Sequence, residues 1–426
     1  MVVIVPHDLG QHLGCYGVPT VNSPNIDALA ARGVRFTNSF CTAPSCSPSR
    51  ASIFTGRYPH SNGMMGLSHA DFAWEMHEDE RHLAHLLAEA GYHTGLAGGA
   101  HELRLQDRGG HNERMPGSRA DESVTSGLGF FRRNIPSGKP LFLELCCFEV
   151  HRGMVGFAGA GPDESKGIFV PPYLVDEISS REEFAVFQGC VRQLDTAVGR
   201  LIAGLDELGV LENTIVVMTA DHGIPFPRAK CSLYDPGLVV PLILHWPGGG
   251  WTGGRTVDAL VSNIDYVPTL LEAAGVAVPD TVQGRSLVPL LRGQRVPWRD
   301  AVFAELTWHD YYDPRRAIRT ARWKLIVNFS CTAFFMDPSQ SWRPKCVTRH
   351  PDNPAFSRHP LVELYDLEDN PLEENNLADD PTHAETRRKL LRRLQEWMET
   401  TGDPLLDGDV TSPMHARAVS VLINRP

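Results

Sequence analysis

The sequence predicts an α/β fold with a large, mostly parallel sheet flanked by helices and a smaller C-terminal α+β domain. Three observations predict it. Short apolar, β-branched runs alternate with helix-period patterns up to about residue 275, as parallel sheets with crossover helices require. The segment 181–208 carries an unbroken helical stripe. Beyond about Asp300 the texture changes to short strands and one charged helix. The expected division is residues 1–299 and 300–426.

The elements follow in order. Val2–Val5 reads as a buried strand. Ser23-Pro24 begins a helix as N-cap and N1, with Ile26, Leu29 and Ala30 on one face and Gly33 as the stop. Arg81–Ala90 is helical, Gly91 ends it, and Tyr92–Ala97 is the next strand. Leu141–Phe148 is apolar except for Glu144, as a central strand should be. In Arg181–Leu208, Phe184, Phe187, Val191, Leu194, Val198, Leu201 and Leu205 recur every three or four residues. Ile215–Thr219 and Val239–His245 are strands, and Gly248–Gly254 a surface turn. In the second domain Val302–Glu305, Ile318–Arg319, Lys324–Asn328 and Glu363–Asp366 read as strands, before the helix Pro381–Thr400.

Composition narrows the function. With 40 Lys+Arg against 51 Asp+Glu, the net charge of −11 argues against a nucleic-acid binder, whose footprint is basic. Nine cysteines, an odd number at spacings unlike a disulfide framework, point to a reducing compartment, the cytoplasm. No signal peptide is recognisable, although a removed leader would leave the same chain, and no apolar run approaches the ~18 residues of a membrane span. Neither a nucleic acid nor a membrane is expected as a partner; an oligomer is compatible with the sequence.

The richest stretch is Cys41-Thr-Ala-Pro-Ser-Cys46-Ser-Pro48-Ser-Arg50 and onward to Thr55-Gly56-Arg57. Pro48 suits the first turn of a helix, which places Cys46 at an N-terminus whose dipole and free N–H groups favour an anion. Arg50, four residues on, can turn back beside it. A buried structural cysteine, or Cys41 and Cys46 sharing a metal or disulfide, are the plain alternatives.

Cys46-x-Pro48-x-Arg50 with Thr55-Gly56-Arg57 resembles the signature of the sulfatase family. The resemblance extends to His7-Asp8, Thr219-Ala-Asp221-His222-Gly223, Lys230, Arg319-Thr-Ala-Arg-Trp-Lys324-Leu, and the tail Leu364-Tyr-Asp-Leu…Asn370-Pro…Asn376-Leu. It implies an alkaline-phosphatase-like fold. It also implies that Cys46 is oxidised to formylglycine by a formylglycine-generating enzyme. One hydroxyl of the hydrated aldehyde attacks sulfur to give a covalent sulfate, and the second collapses to the aldehyde and expels sulfate. Arg50 would hold and polarise the hydrate.

Asp8 and Asp221 each follow an apolar strand and converge on one crevice, where two buried carboxylates need a cation. A hard divalent metal fits, binding sulfate oxygens and residue 46 as a Lewis acid. His7 stands where many relatives have aspartate; His222 is a familiar variant and the stronger ligand of the two. Calcium is the expected ion, with manganese or zinc as the alternatives that imidazole ligands favour. The resemblance places His101 and His151 near the leaving group as proton donors and Lys230 on a sulfate oxygen. One departure is Gly99, where the family often has lysine.

Within the family, Asp221-His-Gly-Ile-Pro-Phe-Pro…Leu233-Tyr…Pro236-Gly237 and Val150-His151-Arg152-Gly153 resemble the sulfamidase branch. The expected substrate is therefore a sulfated sugar, first the N-sulfate of glucosamine in heparan-type glycans. His309, Arg315 and Arg316 are candidates for sugar or carboxylate recognition, with a solvated surface as the alternative. O-sulfatase, phosphonate or phosphate diester hydrolase, and non-catalytic sulfated-glycan binder are the rival functions.

Overall fold

The computed structural model describes residues 1–69, 71–104, 106–153, 156–157, 159–332 and 358–423. Among them is an eight-stranded sheet in the order Arg255–Val257, Val34–Phe36, Leu242–His245, Val216–Met218, Val2–Pro6, Leu141–Cys147, His93–Ala97, Glu113–Met115. Leu242–His245 runs antiparallel to both neighbours; every other pairing is parallel. The predicted mixed, mostly parallel sheet is what the chain forms.

The first strand shows why the sheet is covered on both faces. Alternate side chains of a strand point to opposite sides. Val2 and Ile4 pack into one core, under the helices Pro24–Arg32, Ala120–Asn134 and Ile178–Glu207. Val3 and Val5 pack into the other, against Cys46–Thr55, Leu83–Glu89 and Tyr266–Ala273. Burial of each aliphatic side chain contributes roughly 1.5–3 kcal/mol. The stripe read in 181–208 is buried throughout, from Phe184 to Leu205. Helix Ala120–Asn134 was not legible because Gly127 and Gly129 interrupt its pattern. A Cβ at Gly127 would stand 2.8 Å from Leu143 Cδ2, so packing against the sheet explains that glycine.

The second sheet is antiparallel, in the order Ala301–Trp308, Tyr312–Thr320, Trp323–Asn328, Val362–Asp366, with helix Ala384–Thr401 against it. It shares the main core: Val302, Ala304, Leu306 and Tyr365 join the cluster that contains Ile4. Among the described residues no helix is long and apolar enough to cross a membrane.

Glu363 is a buried carboxylate that ties this sheet to the first. It accepts Tyr234 and Tyr365 hydroxyls, each at 2.6 Å, and the Asn328 amide at 2.8 Å, with His359 Nδ1 3.0 Å away. Burial pushes its pKa up, but these bonds, led by His359, bring it down from 4.5 to about 2. A depressed folded pKa stabilises above the unfolded value and is lost as pH falls toward the folded one. Glu363→Gln is expected to cost about 1.5–3 kcal/mol in urea unfolding near neutral pH, with the difference from wild type narrowing by about pH 3. A gap unchanged with pH would contradict the ionised role.

Candidate active site

Strand ends deliver the polar side chains to one crevice, where open α/β sheets bind ligands. His7 and Asp8 follow Val2–Pro6; Asp221 and His222 follow its neighbour Val216–Met218; His151 follows Leu141–Cys147 on the other side. Asp8 has φ 52°, a left-handed conformation that costs a non-glycine residue of order 1–3 kcal/mol. Its N–H donates to Asp221 Oδ1 at 2.8 Å, which holds the turn. The His93–Ala97 strand turns at Gly98, with φ 94°. A Cβ there would fall 2.1 Å from the Cys146 carbonyl oxygen, so glycine lets the chain pass toward His101.

Helix Cys46–Thr55 is buried over its whole length and starts after an extended Ser45. Cys46 is therefore at the positive end of a helix, as the position of Pro48 predicted. Its Sγ is 3.3 Å from His222 Nε2 and 3.9 Å from Asp8 Oδ1. Burial pushes its pKa well up, so the side chain is a neutral thiol. Arg50 is fully buried and stitches three strands together. It donates to Asp221 Oδ2 at 3.1 Å, to the Val5 carbonyl at 2.9 Å and to Cys146 Sγ at 3.3 Å.

Lys230 donates to both oxygens of Asp8, at 3.1 and 2.9 Å, and is 5 % exposed, a buried lysine held inside the site. Burial opposes the ammonium charge, but Asp8 overrides it and raises the Lys230 pKa. Asp8 in turn is held low, against burial, chiefly by Lys230.

Several polar side-chain atoms converge beside Cys46. His222 Nδ1 lies 2.9 Å from the Gly223 carbonyl oxygen, which can only accept, so Nδ1 carries a proton. Its Nε2 faces Asp8 Oδ1 at 3.2 Å. His7 Nδ1 lies 3.0 Å from Asp221 Oδ2 yet is not aimed to hydrogen-bond with it, and it has no other hydrogen-bond partner. Burial, then Arg50, lower the His7 pKa to about 4, leaving a neutral imidazole. Donor atoms of His7, Asp8, Cys46 and Asp221 all lie within 4.8 Å of one another. Two carboxylates and two imidazole nitrogens converging in a buried space fit a divalent cation.

A cavity of about 390 Å³ opens over Cys46, lined also by His101, His151, Arg152, Lys230 and His309, with Leu67, His69, Phe72 and Asp310 among the other walls. His151 Nε2 is 4.0 Å from Asp8 Oδ2, and burial followed by Lys230 lowers its pKa to about 3. His309 is braced by Asp310 at 3.0 Å. A Cβ at Gly99 would meet nothing within 4 Å, so the missing lysine leaves open space, with Lys230 and Arg152 as cations on the cavity wall. Arg315 and Arg316 are corrections. Both are buried in ion pairs, with Asp313 and Asp403 respectively, and neither recognises a sugar nor sits in solvent. They are neighbours on one strand and so point to opposite faces, and both faces of that strand are covered. The spacing of motifs gave no sign of His69 or Asp310, which reach the cavity from loops.

The sulfatase family profile matches residues 1–113 and 136–276, more than half of the chain. The chain belongs to the sulfatase family. Members are sulfuric ester hydrolases that generally use formylglycine and a divalent metal. A second profile, "N-sulphoglucosamine sulphohydrolase, C-terminal", matches residues 226–337 of this sulfatase. The human N-sulphoglucosamine sulphohydrolase is 28 % identical, over 95 % of this chain and 90 % of its own. An ulvan-active sulfatase of Formosa agariphila is also 28 % identical, over 94 % and 80 %. Among solved structures, a protein in complex with its substrate D-glucosamine-2-N,6-O-disulfate shares the fold, with TM-score 0.72 at 21 % identity, covering 95 % of this chain and 98 % of that one. So does a phosphonate monoester hydrolase from Silicibacter pomeroyi, with TM-score 0.70 at 23 % identity, covering 95 % of each.

Proposed function

We propose that this sulfatase hydrolyses the sulfate group of a sulfated sugar, first among them the N-sulfate of glucosamine in heparan-type glycans. The observation that carries the reading is Cys46 at the start of its helix, under an open cavity and against Asp8, Asp221, His222 and Lys230. The human relative and the C-terminal profile support the N-sulfate.

The nucleophile is a formylglycine made from Cys46, whose hydrate offers two hydroxyls on one carbon. Asp8, Asp221, His222 and His7 would hold the divalent cation, which supplies Lewis-acid polarisation of sulfate oxygens. Calcium is the proposed ion; the two imidazole nitrogens favour manganese as the second reading. Arg50 locks Asp221 in place, Lys230 is the cation for a sulfate oxygen, and His101 and His151 supply the proton that the departing nitrogen or oxygen needs. His309 contacts the sugar.

The test is hydrolysis of N-sulfoglucosamine, glucosamine 6-sulfate, an aryl sulfate and a phosphonate monoester in parallel, with the mass of the peptide containing residue 46. Sulfamate turnover and a loss of about 18 Da, from thiol to aldehyde, are expected. Turnover of the phosphonate alone would replace the reading with phosphonate hydrolysis. No mass loss and no turnover would leave a glycan binder.

A further inference from the structure

Resting on that reading, we propose that His69 is a positioning residue that feeds protons to His101 while both rings stay neutral. The leaving nitrogen or oxygen takes a proton from one ring nitrogen of His101. In the same event the other nitrogen, Nε2, takes the proton of His69 Nδ1, and His69 Nε2 takes one from a hydronium or buffer acid that reaches it through the cavity, leaving water or the buffer base behind.

The geometry for this is built in. His101 Nε2 lies 2.7 Å from His69 Nδ1, and the rings are 4.7 Å apart at 30°. His101 Nδ1 is buried and has no hydrogen-bond partner, so it is free for a substrate atom. One His101 ring nitrogen lies within 4.8 Å of Cys46 Sγ, close to where the reaction occurs. His69 is exposed to the cavity, and the edge of Phe72 steadies its ring at 5.5 Å. The pairing is also anchored through the backbone. The hydroxyls of Ser47 and Ser68 both donate to the His101 carbonyl at 2.6 Å, and Ser68 N–H donates to Ser47 Oγ at 3.1 Å. Ser47 follows Cys46 and Ser68 precedes His69, so nucleophile, donor and feeder share one clamp.

The arrangement answers a difficulty that burial creates. The His101 ring packs between His7, with centroids 5.1 Å apart, and Phe148, at 6.4 Å, surroundings in which an added positive charge is costly. A ring that releases one proton as it accepts another never carries that charge.

The test compares His69→Ala and His69→Gln with wild type on the sugar N-sulfate and on 4-nitrophenyl sulfate, whose leaving group needs no proton. A loss of about 100-fold in kcat on the sugar, at least tenfold greater than on the aryl ester, is expected, with added imidazole restoring part in the alanine variant. Gln can hold the His101 ring but cannot pass a proton, so it should not rescue. Equal losses on both substrates, no loss, or full rescue by Gln would overturn the relay. Imidazole ¹⁵N shifts judge it separately from the choice of substrate. A neutral His101 near neutral pH whose Nε2 signal moves on His69→Ala is expected even if neither substrate is turned over. A doubly protonated His101, or one indifferent to His69, overturns the proposal.

Discussion

Replacing Cys46 by serine is expected to lower steady-state turnover on the order of 10⁴-fold or more while leaving the fold intact. The exchange is nearly isosteric, and the buried hydroxyl keeps a partner in His222 Nε2, which lies 3.3 Å from Sγ. The melting temperature should therefore hardly move. The chemistry should stop for a different reason: one hydroxyl can accept a sulfuryl group, but no second hydroxyl on the same carbon is there to expel it. At most one equivalent of product per site should form, and intact mass should show a stalled sulfated chain. Sustained turnover by the serine variant would rule out the two-hydroxyl mechanism.

The second large effect is expected from Asp221→Asn. Asp221 Oδ1 accepts the N–H groups of Asp8 and His222 at 2.8 and 2.9 Å, and Oδ2 accepts Arg50 at 3.1 Å. Both Asp221 and Arg50 are fully buried, so neutralising one leaves the other charge without its partner, at a cost of about 3–5 kcal/mol. Loss of an outer-sphere partner already weakens metal sites roughly 10–100-fold, and loss of a carboxylate ligand should exceed that. Elemental analysis after dialysis and urea unfolding report the two effects. Metal content equal to wild type would remove Asp221 from the ion's ligands.

Much of this was legible because it is periodic or local. The first strand, the long helix and the short strands after residue 300 obey simple patterns, and Cys46, Pro48 and Arg50 lie in one turn of helix. What stayed hidden depends on distant partners. The three-residue strands Val34–Phe36 and Arg255–Val257 are too short to show a period, and neighbours define them. Arg50 reads as a group turned toward residue 46, whereas its hydrogen bonds tie Val5, Cys146 and Asp221 together. His69 and His101 are far apart in sequence, and nothing in either neighbourhood announces that their rings meet. The orphaned Nδ1 of His7 is likewise a property of three-dimensional arrangement, and it gives His7 a weight the sequence alone did not.

The seam between the two sheets has a consequence of its own. Glu305, on the edge strand Ala301–Trp308, binds His60 through its side chain, while its backbone N–H donates to Thr42 four residues before Cys46. The same strand runs on to His309 and Asp310 in the cavity wall. A chain split between Arg299 and Asp300 would thus strand a buried histidine and a buried glutamate on opposite pieces and remove one wall of the chamber. Neither fragment should fold to completion unaided, and mixing the two should restore structure and turnover together.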